Sequence, residues 1–156
     1  TNMVTPVASF QGAPSLPNTQ GVAMSQSAAA GSTVTVAIDV IGVSDVYGAS
    51  FRIVYDSVNW TFVSWAAGSA LEQGGAAVRS EVVESDTGTL TLGTSRLGPV
   101  AGANVADRKA LLLLTFRGAL RSASPLTFES PVLFDASNPP QEISGLAWFG
   151  GTLVFQ

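Results

Sequence analysis

The sequence predicts an all-β domain, an antiparallel two-sheet sandwich of about nine short strands. Three observations carry this. Apolar residues recur at every second position in several stretches, the period of a strand with one face in a core and one in water. Gly, Pro, Asn, Asp and Ser punctuate those stretches at short intervals, as turns between strands do. No stretch keeps apolar residues at helical spacing for more than a turn or two, so strands have to build both layers of the core.

Composition narrows the function. At 156 residues the chain fits one domain, and a chain of this size buries roughly 70% of its unfolded surface without staples. Charged residues make up only 12%, which argues against disorder and against a coiled coil. A net charge of -4 with seven scattered basic residues offers no footprint for a nucleic acid. With no Cys there are no disulfides or thiolate metal sites, and with no His there is no Ser-His-Asp triad or imidazole metal site. No apolar run approaches the roughly 20 residues of a membrane span, and no signal-peptide pattern opens the chain. A mature or excised soluble fragment is expected.

The elements follow in order. Residues 1–21 contain Pro6, Pro14 and Pro17 among Ser, Asn, Gln and Gly, and read as an N-terminal arm or linker ahead of a domain over 22–156. Val4, Val7 and Phe10 allow part of this arm to pack along a sheet edge. Val22 to Ser25 is a short strand, and Ala28 to Ser32 a turn. Thr33 to Ile41 is the cleanest strand, with Val34, Val36, Ile38 and Val40 on one face. Gly42 to Asp45 turns the chain into Val46–Asp56, around which the rest is organised. There Ala49, Phe51, Ile53 and Tyr55 face the core while Gly48, Ser50 and Arg52 face out, leaving a small, polar, flat outer surface.

Trp60 to Trp65 is apolar at nearly every position and reads as a strand covered on both sides. Ala77 to Glu84 sets Val78 and Val82 against outward Arg79 and Glu81. Ser85 to Gly88 closes a hairpin into Thr89–Arg96, where Leu90 and Leu92 face in and Thr89, Thr91 and Gly93 face out. Leu97 to Arg108 is a loop. Ala110 to Phe116 is a buried strand, Pro125 to Phe128 and Pro131 to Asp135 are short strands with prolines at first-residue or edge positions, and Ala147 to Phe155, broken by Gly150-Gly151, is the last.

Ala30-Gly31-Ser32-Thr33-Val34-Thr35-Val36, then Phe51 to Asp56, then Phe62 to Gly68, and downstream Leu113 to Arg117 and Gly151 to Val154, resemble the bacterial cohesin domain family in order and spacing. The resemblance implies a nine-stranded jelly roll that binds a dockerin module on the sheet face built from its third, fifth, sixth and eighth strands. Here these are the organising strand, Ala77–Glu84, Thr89–Arg96 and roughly Pro131–Asp135. The outward residues on the first three, Gly48, Ser50, Arg52, Arg79, Glu81, Thr89, Thr91 and Gly93, become the candidate partner-binding platform. The resemblance also implies an extracellular or cell-surface setting in a bacterium, linked to polysaccharide processing. The chain departs from well-known cellulosomal cohesins where they carry Asn-x-Asp on the third strand: it has Gly48-Ala49-Ser50, with weaker hydrogen-bonding capacity. Ser57 replaces the usual proline after Tyr-Asp.

Other readings remain open at this level. Trp60 reads as core. Trp65 and Trp148, each near a Gly-rich loop, are the candidate sugar-stacking residues of a carbohydrate-binding module, and a structural spacer domain is a third reading. Asp56 reads as a turn cap, and Glu81, Glu84 and Asp86 as solvated charge near a hairpin rather than a catalytic pair. Asp107, Asp135 and Asn138 are oxygen ligands without the spacing of a calcium loop and read as turn residues. Asn59-Trp60-Thr61 matches a glycosylation acceptor pattern at a strand entry. No enzyme activity, metal or cofactor is expected, and the chain is expected to be a monomer or a weak homodimer.

Overall fold

The computed structural model describes residues 5–12 and 20–156. Of the stretch read as an arm, residues 1–4 and 13–19 lie outside the described residues. Thirteen strands run through the rest: β1 Ala8–Gly12, β2 Gly21–Ala30, β3 Thr33–Ile41, β4 Val43–Val46, β5 Gly48–Val54, β6 Trp60–Ala67, β7 Val78–Asp86, β8 Thr89–Arg96, β9 Ala103–Val105, β10 Lys109–Gly118, β11 Ser122–Phe134, β12 Ala147–Phe149 and β13 Gly151–Phe155. The one helical element among them is a 3-10 turn at Gln73–Gly75.

Two sheets form the sandwich. One has six strands in the order β1-β13-β11-β5-β8-β7, the other five in the order β12-β2-β3-β10-β6, and β4 and β9 pair at one side. All pairs are antiparallel except β12 with β2. Between the sheets lie Phe51, Ile53, Leu90, Leu92, Leu126 and Leu133 from the first and Val36, Ile38, Leu112, Leu114 and Phe116 from the second, all buried. The alternation of β3 places all four of its even-numbered aliphatics in this core, and Trp60 joins them at 1% exposure.

Several expectations are corrected. There are more than nine strands, because some pair over three or four residues, too few for alternation to show. Gly42–Asp45 is not wholly a turn and Leu97–Arg108 not wholly a loop: β4 and β9 lie in them, burying Val43, Val46, Ala103 and Val105. The run Ala28–Ala30 belongs to β2, paired through to Thr33, and the turn shrinks to Gly31-Ser32. β6 is not covered on both faces: beyond Trp60 and the half-buried Phe62 its residues are exposed, and it is an edge strand with β10 as its single sheet neighbour. Its continuous apolar run comes from a bulge between Phe62 and Ser64. Phe62 packs inward on one side of the irregularity, while Val63 stays 41% exposed.

The two short strands read at Pro125 and Pro131 are one strand, β11, whose first half pairs β13 and whose second half pairs β5. Pro125, which has no N–H to give, sits where β11 has β13 alone as neighbour. Pro131 sits in a bulge between Glu129 and Val132, where Ser130 takes φ 48°. The last strand is two. Gly150 lets the chain leave β12 in one sheet and enter β13 in the other, at a point where a Cβ would lie 2.2 Å from the Leu126 carbonyl oxygen.

Candidate functional site

The four strands singled out as a platform are contiguous in the six-stranded sheet, in the order β11-β5-β8-β7. Their register sets the outward side chains in rows. Glu129, Arg52, Thr91 and Val83 stand abreast; the next row is Val132, Ser50, Gly93 and Glu81; the next is Phe134, Gly48, Ser95 and Arg79. Ser50, Arg52, Arg79, Glu81 and Thr91 are exposed, Thr89 and Gly93 are half-buried, and Gly48 is buried at the foot of its row. The eight platform residues therefore share one face, built by period-2 alternation on three strands that turn their other side toward the core.

Its charges are unengaged. Among the described residues, no hydrogen bond or ion pair holds Arg52, Arg79, Glu81 or Glu129, and the ion pair found, Arg108 with Asp39, lies on β3 of the other sheet. Thr91 shares a 2.8 Å hydroxyl hydrogen bond with Ser85. On the inner side, Ser80 and Thr94 bond at 2.7 Å and tie β7 to β8.

Sequence reasoning placed the strand of residues 131–135 in this face but named none of the side chains it contributes. Val132 and Phe134 point outward because Leu133 is opposite Ala49 on the core side. In the apolar run Pro131-Val132-Leu133-Phe134, no alternation reveals which residues face which way. Tyr47, Leu97 and Pro140 also border the face; they come from loops and strand ends and carry no periodic signal. The Tyr47 hydroxyl donates to the Gly98 carbonyl at 2.7 Å and fixes the loop after β8.

The remaining candidates fall elsewhere. Trp65 lies on β6 and Trp148 on β12, at opposite edges of the five-stranded sheet, so they form no common strip. Trp148 packs into the core, with ring centroids 5.1 Å from Phe128 and 5.9 Å from Phe51; Trp65 keeps 38% exposure. Asp56 closes its turn: Oδ1 accepts the Val58 N–H at 2.9 Å and Oδ2 the Asn59 amide at 2.8 Å, which holds this carboxyl below the usual range. Glu84 is not simply solvated, since the Tyr55 hydroxyl donates to it; burial first, then this bond, pushes the phenol above the ordinary tyrosine range. Asp135 Oδ1 accepts the N–H groups of Ser137 and Gln141, both at 3.0 Å, and its carboxyl is held low by them. Among the described residues, no three acidic side chains come together in a way that could hold a metal ion, and no helix is long and apolar enough to cross a membrane.

A family model described as "Cohesin domain" matches residues 21–134, the segment that contains all four platform strands. No curated protein sequence matches the chain. The second type II cohesin module of an adaptor scaffoldin from Acetivibrio cellulolyticus is similar in fold, with 14% identity, 89% of this chain and 98% of that chain covered, and a TM-score of 0.73. A type II cohesin in a cohesin-X-dockerin complex from the same organism matches with 14% identity over 83% of this chain and 95% of that one, TM-score 0.68. A non-cellulosomal cohesin from the archaeon Archaeoglobus fulgidus matches with 15% identity over 77% and 78%, TM-score 0.57.

Proposed function

This chain belongs to the cohesin domain family, and we propose that it is a non-catalytic interaction module that docks a dockerin-type partner on the outer face of its six-stranded sheet. The observation that carries the reading is the face itself: four adjacent strands present small and polar residues in register, with Arg52, Arg79, Glu81 and Glu129 unengaged among the described residues. Strands held by ladder hydrogen bonds, β5 and β8 on both sides and β7 on one, lose little conformational freedom on binding, so the surface is preorganised. Affinity comes from burying the flat middle of the face, and specificity from the charged side chains around it. Such a module acts in extracellular or cell-surface assembly linked to polysaccharide processing.

The test is an affinity measurement of the immobilised chain against a panel of type I and type II dockerins, including the X-dockerin of Acetivibrio cellulolyticus. The expected result is one stoichiometric partner whose affinity falls about tenfold in Arg52→Ala, the range of a truncated charge contact at an interface. A partner whose affinity is untouched by substitutions across this face, or no partner in the panel, counts against the reading.

A further inference from the structure

The outer face has a depression. Between β7 and β11 lies a groove of ≈ 370 Å³ lined at its floor by Gly48 and Gly93, the first buried and the second half-buried. Gly48 stands opposite Ser95 and Gly93 opposite Ser50, so the two glycines are diagonal neighbours on adjacent strands. Arg79 and Glu81 flank the groove from β7, and Phe134 and Pro140 from the other side. The absence of side chains at Gly48 and Gly93 leaves this hole in the face.

We propose that this groove receives one large apolar side chain from the partner's docking surface, and that this residue, not a charge pair, anchors the complex. The inference rests on the docking reading above. Three features select the occupant. The glycine floor offers little beyond backbone already bonded in the β5–β8 ladder, so few polar partners remain for a ligand there. The opposite wall is a phenyl ring and a proline ring, with Leu97, 47% exposed, bordering the same groove. The charges of Arg52 and Arg79 balance those of Glu81 and Glu129, while the whole chain carries -4. A partner approaching this patch meets no net charge among these four, so shape and apolar burial decide the fit. The volume is at the low end of the ~300–1,000 Å³ of small-molecule sites, which suits a single side chain rather than an extended ligand.

Gly93→Met tests this directly. A Cβ at Gly93 meets nothing nearer than the Ala49 carbonyl oxygen at 4.0 Å, so the new side chain fills the groove without disturbing the sheet; at Gly48 a Cβ would press on the Thr94 oxygen at 3.1 Å. With a dockerin that binds the wild-type chain, Gly93→Met is expected to keep the melting temperature and weaken binding ~30-fold, the loss of a hot-spot contact. A Gly93→Met variant that binds that dockerin as wild type, when Arg52→Ala weakens it, overturns the groove and leaves the docking face standing. If no dockerin binds, the docking reading fails, and titration with N-acetyl-leucinamide and N-acetyl-tryptophanamide decides the groove on its own. Amide NMR shifts clustered at Gly48, Gly93 and Ser95 and lost in Gly93→Met support it; absent or scattered shifts overturn it.

Discussion

Asp56 and Asp135 do at the ends of the sandwich what the strand ladders do in its middle: each gives loop N–H groups an acceptor. Both carboxyls are held below their usual range, Asp56 first by the Asn59 amide and Asp135 first by the Gln141 N–H. A folded-state pKa below the unfolded value means stability that is present above about pH 4 and is lost as pH falls through the folded value. The urea midpoint is therefore expected to be level from pH 7 to pH 5 and to drop below about pH 4. In an Asp56→Asn, Asp135→Asn double variant that drop becomes shallower, and an unchanged acid limb would remove these turns from the account. The role of Asp56 was legible because Asp-Ser-Val-Asn after a strand is a turn signal. That of Arg96 was not. Alternation on β8 sends it inward with Leu90 and Leu92, against its charge, and only the folded chain supplies the Leu71 and Gln73 carbonyls that accept from its guanidinium at 3.1 and 3.0 Å.

Among elements, legibility follows how many consecutive residues bury one face. β3, β5 and β8 each bury one face over most of their length, and β7 keeps the alternation with Val82 buried and Val78 and Ser80 half-buried; all four were read nearly to their ends, and with them most of the platform. β4 and β9 pair too briefly to leave a period, and the bulges in β6 and β11 break it. The β11 bulge matters to the outer face of the six-stranded sheet, because it separates Glu129 from Val132 and sets Val132 and Phe134 outward. Ser130 holds the bulge open at φ 48°, where a β-branched side chain is strained. Ser130→Val is expected to destabilise the chain by about 1–2 kcal/mol, whereas Ser130→Gly leaves it within about 0.5 kcal/mol of wild type, the gain in backbone fit offset by a freer unfolded chain. Chemical denaturation separates the two, and equal stability of both variants would mean the bulge carries no strain.

At the scale of the molecule, the two sheets have to be closed against each other at their edges, and β1 does so on one side. Residues there belong to a proline-punctuated stretch whose composition gives little sign of a strand, yet five of them pair in register with β13. β1 also reaches the other sheet: the Ala8 N–H donates to the Gly31 carbonyl at 2.8 Å and the Phe10 N–H to the Gln26 side-chain oxygen at 2.9 Å. Phe10, 6% exposed, lies against Gly151, where a Cβ would come within 2.3 Å of its ring, so the start of β13 is shaped to hold this one side chain. Phe10→Ala should then cost about 3 kcal/mol, as a buried aromatic truncated in a site that cannot collapse. A chain that lacks residues 1–19 should lose more than this, because it also uncovers the β13 ladder, and an uncovered edge invites pairing with a second copy. Light scattering on the shortened chain is expected to find concentration-dependent dimers alongside a lowered melting temperature. A shortened chain that stays monomeric and melts as wild type would assign the closing of this edge to β11 and β13 alone.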